Sequence, residues 1–174
     1  MPCSGRPSVG RHLGGYTGTV IREIVGFRQD EVGDWVADLA CLHSQHIRHQ
    51  PPFFDRPWVV DPAGRAAYVG SGWDCPLCDR AELPEGLRLV RTAGPFDEAT
   101  LPPGLRATHS VAARTWGRLV VLDGTVGFSM DTEPPIERRM VAGDEQPIQP
   151  GVPHRLTVDG PVRLAVEFLV RDDG

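Results

Sequence analysis

Lysine and asparagine are both absent from the 174 residues. The first absence removes Schiff-base and amine-nucleophile chemistry, together with the lysine of a phosphate-binding P-loop. No apolar run approaches membrane-spanning length, and "MPCSGRPSVGRHLGG" lacks the apolar segment of a signal peptide. The expected location is the cytoplasm, with no membrane partner. Positive charge is scarce as well, for a formal net charge of -5. Residues 1–90 carry 9 Arg against 11 acids and residues 91–174 carry 9 Arg against 12, so neither half is a basic patch and nucleic acid is disfavoured as a ligand. No nucleophile motif stands out: Ser110 directly follows His109, Ser129 has no base nearby, and "GRHLGGYTG" lacks the strand and helix context of a phosphate loop.

What is present is an ordinary globular composition, 40% hydrophobic and 24% charged. "TVIREIVGFRQDEVGDWVADLACLH" reads as two strand-like runs around the turn Glu31-Val32-Gly33-Asp34, a β-hairpin. "HQPPFFDRPWVV" is too rich in proline for a regular element. In "DPAGRAAYVG", Asp61 as N-cap and Pro62 at the first helical position predict a short helix. From about Arg91 the texture changes to short apolar runs broken by Gly and Pro, with Asp123-Gly124 as a hairpin signal. The expected fold is two domains, a small α+β module followed by an all-β sandwich or barrel. The boundaries are residues 1–18 for a flexible leader, 19–80 for the α+β module, 81–90 for a linker and the start of the barrel, and 91–174 for the barrel.

Four cysteines remain: Cys3 in the leader, and Cys41, Cys75 and Cys78. The last two stand in Cys-x-x-Cys spacing, and "ACLHSQHIRHQ" sets His43, His46 and His49 beside Cys41. In a cytosolic chain such clustering points to metal or redox chemistry rather than a disulfide framework. A thioredoxin-like pair wants a βαβ frame that is missing here. If "ADLACLH" is a strand, Cys41 and His43 project to one side, where the Cys-x-x-Cys pair completes a closed tetrahedral zinc site. The expected ligands are Cys41, His43, Cys75 and Cys78, with His46 or His49 as substitutes for His43, and segment 19–80 is expected to hold about one zinc by itself. The competing reading is buried free thiols beside surface histidines. Trp35 and Trp58 read as core aromatics, Arg48 and Arg56 as structural or surface charges.

The stretch from Ile24 to Asp79, with its G-F-x-x-D, D-W-V-A, C-x-H-x-Q-H-x-R-H-x-P-P, R-P-W-V and C-x-x-C elements, resembles a small bacterial domain family of unknown function. The stretch from Leu83 to Val170, carried by "FDEATLPPGLRATHS", "TWGRLVVLDGTVGF", "IQPGVPHRL" and "VRLAVEFLV", resembles a cupin-type domain family associated with tellurite resistance. That resemblance implies a cupin-like barrel, a double-stranded β-helix, for the second domain. Gly143, Gly151 and His154 keep the spacing of the second cupin motif, with Gln149 in place of its proline. The first motif is eroded. His109 is its one histidine, Gly117 takes the place of its glutamate, and Val111-Ala112 stands where relatives often carry Thr-Lys.

A second divalent metal in the barrel would need His109, His154 and Glu167, the one two-His, one-carboxylate set available. They are expected around a cavity near Trp116. The opposing reading makes the histidines hydrogen-bonded turn residues and Glu167 a surface acid, since it lies opposite Val162, Leu164, Val166 and Phe168 on its strand. Arg114, Arg118 and Arg155 offer an anion pocket, against the ordinary reading as solvated charges. Three functions stay open: a stress-response protein whose barrel binds a metal or small ligand, a metal-dependent cupin enzyme such as an oxygenase or isomerase, and a scaffold whose zinc module docks a protein partner or a second copy.

Overall fold

The computed structural model describes residues 20–171. The leader and Cys3 lie outside the described residues. Strands β1 (Ile21–Gln29) and β2 (Trp35–Leu39) form the expected hairpin, with Gln29 opposite Trp35. Asp30 Oδ1 shapes its turn by accepting from the N–H groups of Val32 and Asp34 at 3.0 and 2.9 Å, and Gly33 supplies the positive φ of 88°. β3 (Ser44–His46) extends this sheet at one edge and β4 (Gly72–Asp74) at the other, giving the order β3-β2-β1-β4. The predicted short helix is α1 (Pro62–Tyr68), whose cap Asp61 accepts from Gly64 N–H at 2.7 Å. A one-turn helix, α2 (Pro76–Asp79), follows β4. Trp58 stacks on Tyr68 at 3.7 Å and meets Phe27 and Trp73 edge-on, while the Arg65 guanidinium lies 3.4 Å over Trp35. Both tryptophans thus pack the module, and Arg48 pairs with Asp34 on its surface.

The second domain is almost entirely strand: β5 (Leu87–Asp97), the four-residue α3 (Pro103–Arg106), β6 (Trp116–Met130), β7 (Ile136–Val141), β8 (Glu145–Ile148), β9 (His154–Thr157) and β10 (Val162–Arg171). The main path runs β5-β10-β6-β7, and β8 and β9 also pair with β6. β5 starts inside the 81–90 stretch.

The hairpin expected at Asp123-Gly124 is corrected, because β6 continues through both residues. Its first half pairs with β10 and β8, its second half with β7 and β9. Gly124, at φ 72°, is where one strand leaves one set of partners for the other, next to a register shift against β10. A long central strand that changes partners needs a left-handed bend, and glycine adopts it at low cost.

Leu119, Val121, Val126, Phe128, Met130, Leu164 and Val166 belong to the second domain's own core. Trp116 and Leu169, from the same strands, are buried instead among Ile24, Leu39, Cys41, Cys75 and Cys78. The first domain's core is therefore completed by the second. A Cβ on Gly124 would lie 2.1 Å from Pro161 O. Gly124→Ala is expected to cost at least about 2 kcal/mol, a fall in Tm of roughly 4–8 °C in a thermal melt.

Candidate functional site

The chain reverses immediately after β2. Leu42 takes φ 69° and donates its N–H to Leu39 O at 2.8 Å, while Leu39 N–H donates to His43 O at 2.9 Å. Cys41 and His43 thus converge through a turn. The expected strand through them stops at Leu39. On the other side Cys75 opens α2, with Pro76 at its first position, and Cys75 O accepts from Cys78 N–H and Asp79 N–H at 3.0 and 3.2 Å. That turn sets Cys75 and Cys78 side by side.

All four side chains are buried, and their donor atoms lie within 4.8 Å of one another. Cys41 Sγ and Cys75 Sγ are 3.8 Å apart, and His43 Nδ1 lies 3.4, 3.4 and 3.6 Å from the sulfurs of Cys41, Cys75 and Cys78. A tetrahedral ion with bonds of about 2.3 Å to sulfur and about 2.0–2.1 Å to nitrogen sets sulfurs roughly 3.8 Å apart, and sulfur and nitrogen roughly 3.5 Å apart. The cluster fits such an ion. His43 Nε2 lies 3.1 Å from Glu82 O, which only accepts, so Nε2 carries the proton and Nδ1 is left to coordinate.

Electrostatics point the same way. Burial opposes charge on His43, yet hydrogen bonds to Cys41 and Cys75 outweigh it and lift the imidazole to about 9. Contact with Cys41 dominates both remaining thiols, pulling Cys75 down and pushing Cys78 up. One sulfur ionises readily and the last resists as negative charge accumulates. A dication among them lets all three lose their protons, so these four residues could hold a metal ion.

The second domain supports this cluster directly. Trp116 Nε1–H donates to Cys41 O at 2.7 Å, and its ring meets His43 edge-on at 5.4 Å. Gln149 Nε2 donates to Cys78 O at 2.7 Å, while Gln149 Oε1 accepts from Arg22 Nη2; Arg22 Nε in turn donates to Cys78 Sγ at 3.4 Å. Trp116 and Gln149 are both fully buried. Sequence reasoning met Gln149 as a departure from the cupin pattern and missed its role. Glu82, Trp116 and Gln149, which lie outside segment 19–80, thus contact three of the cluster's four residues. His46 and His49 stand apart: His46 faces Asp30 Oδ2 at 2.9 Å, and His49 Nδ1 accepts from Arg56 N–H at 3.0 Å.

A second site lies inside the second domain, where His109 and His154 line a cavity of about 280 Å³ whose other walls include Leu119, Ile148, Leu156, Val166 and Phe168. The two histidines exchange backbone hydrogen bonds at 3.0 and 2.8 Å, and their rings are 4.2 Å apart. Each Nδ1 meets a carbonyl, Ala107 O at 3.0 Å and Val152 O at 2.9 Å, so each Nδ1 donates and each Nε2 keeps a lone pair. Burial holds the His154 pKa below its ordinary value, with the neighbouring His109 adding to the effect.

Glu167 and Trp116 are not at this cavity, which corrects the expected grouping. The Arg118 guanidinium grips Glu167 Oε2 at 2.8 and 2.5 Å on the face of β10 opposite Val166 and Phe168. Trp116, an odd number of residues from the cavity-lining Leu119, faces the cysteine cluster.

These features define a two-domain, mostly β protein that has, among the described residues, a buried Cys/His cluster able to hold a metal ion. Residues 25–82 match the family described as Protein of unknown function (DUF3565), and residues 91–166 match the TehB-like domain, in agreement with the two resemblances. No curated protein matches the chain. Among solved structures it is similar to a protein from E. coli (strain K12), at 17% identity and TM-score 0.48, covering 53% of this chain and 98% of that one. TehB from Haemophilus influenzae shares 20% identity at TM-score 0.44, over 50% of this chain and 32% of its own. Hydroxypropylphosphonic acid epoxidase from S. wedmorenis shares 27% at 0.32, over 41% and 39%. With every TM-score under 0.5, these likenesses assign no function.

Gln149→Leu removes the donor to Cys78 O and the acceptor of Arg22. The expected cost is about 2–4 kcal/mol in denaturant unfolding, with metal released earlier in the titration than from the parent protein.

Proposed function

We propose that the protein is a bacterial stress-response binding protein, in which a structural zinc site clamps the first domain onto a cupin-like double-stranded β-helix that takes up a small ligand. One observation carries this reading: two imidazoles, each with Nε2 left as an acceptor, line together with Ser110 a cavity whose remaining walls are apolar. A cavity of this kind suits a compact molecule with an apolar body and a head bearing two hydrogen-bond donors. Zinc is supported at the cluster by a soft sulfur and imidazole donor set and by closure with four protein ligands, which leaves no position for substrate. Unpaired buried thiols favour a reducing compartment, hence the cytoplasm.

Purified full-length protein is expected to carry about one zinc per chain by elemental analysis. Cys75→Ser is expected to lose it and unfold the first domain. A normal melt in a metal-free Cys75→Ser protein would refute a structural role.

A second reading, a divalent metal in the barrel serving an oxygenase or isomerase, is favoured by the same pair of lone pairs. It has two protein ligands rather than three, because Arg118 occupies Glu167. Calorimetric titration of zinc-loaded protein with ferrous or nickel ion decides between the two. The binding reading expects no second site tighter than about 10 μM, whereas a tight site abolished by His154→Ala would establish the metal reading.

A further inference from the structure

The outer face of the second domain holds a hollow that neither the zinc reading nor the cavity uses. β6 runs between β7 and β9, with Gly127 opposite Arg139 on one side and Thr157 on the other. One pair further along, Ser129 stands between Glu137 and Arg155. Gly127 has no side chain, and a Cβ there would come within 3.2 Å of Thr157 Cβ, so the centre of this row is a depression of about 280 Å³.

Two guanidinium groups, those of Arg139 and Arg155, lie on its face of the sheet, against the single carboxylate of Glu137. Arg138, opposite the inward Phe128, turns to the other face, where its Nη1 donates to the buried Gln146 Oε1 at 2.8 Å. Arg139 Nη2 donates to a neutral partner, Thr125 Oγ1, at 3.1 Å, and among the described residues neither Arg139 nor Arg155 makes an ion pair with a carboxylate, in contrast to Arg118 with its two glutamates. A protein of net charge -5 thus gathers unneutralised positive charge at one concave point, next to the hydroxyls of Ser129 and Thr157.

We propose that this hollow binds a small oxyanion carrying two negative charges. Guanidinium forks match the paired oxygens of such groups, and hydroxyl donors supply the remaining hydrogen bonds. Phosphate and dicarboxylate share this chemistry, and the experiment separates them. Full-length protein is titrated at constant ionic strength with inorganic phosphate, with malonate and with the monoanion nitrate, and the backbone amide signals of Gly127, Ser129 and Thr157 are followed by NMR.

Saturable shifts at these three amides with phosphate or malonate, and none with nitrate, are the expected result. The tighter of the two dianions then names the ligand class. Arg155→Gln and Arg139→Gln, both exposed and tolerable to the fold, should each weaken binding about tenfold. Glu137→Gln should tighten it severalfold by removing the one repelling carboxylate. Equal response to nitrate, shifts centred on the His109 and His154 cavity, unchanged affinity in Arg155→Gln, or no gain in Glu137→Gln would each overturn the proposal.

Discussion

Three sulfurs and one imidazole are packed together in the buried interior, and their mutual repulsion on ionising is the constraint on which the first domain depends. A proton on His43 relieves part of that repulsion, and the raised imidazole pKa records it. A metal dication would offset most of it, replacing contacts among three thiols and an imidazole with four bonds. The module's own elements are short, with three-residue strands at both sheet edges and helices of seven and four residues. So small a frame buries little apolar surface, which makes a cross-link between its two halves worth more than it would be in a larger core.

The cluster is also where the two domains meet. Buried carbonyl groups cost free energy when left without a donor, and here the donors come from the far domain: Trp116 for Cys41 O and Gln149 for Cys78 O. Neither bond is exposed to solvent competition. The consequence is mutual dependence, since Trp116 of β6 and Gln149 after β8 bond to the cluster's carbonyls and Trp116 is itself buried in the first domain's core. Ile148, one residue before Gln149, lines the histidine cavity. A single stretch of chain therefore touches both sites.

β6 organises the second domain by an alternation that changes phase at the bend near Gly124. Its inward residues Leu119, Val121, Val126, Phe128 and Met130 build the core and the cavity wall, while outward Gly127 and Ser129 floor the arginine-lined hollow. Trp116 opens the strand on the side of the cysteine cluster. The bend at Gly124 lets one strand serve two sets of partners, so three distinct chemical environments hang on fifteen consecutive residues.

Local chemistry in the sequence was enough for the N-terminal hairpin, the Asp61 cap, the change of texture near Arg91 and the two halves of the Cys/His cluster, Cys41 with His43 and Cys75 with Cys78, because each depends on neighbours a few positions apart. Cysteine knuckle spacing is such a short-range signal: one helical turn decides it. Asp123-Gly124 was misread because a left-handed glycine serves a hairpin turn and a strand bend equally well, and only the pairing of β6 with four partners separates them. Glu167 was grouped with the histidines by residue type, whereas the fold hands it to Arg118 across a strand pair. The tautomers of His109 and His154, the Trp116 and Gln149 contacts and the hollow at Gly127 were set by tertiary structure alone, since each joins groups distant in sequence whose meeting depends on how the strands close against one another.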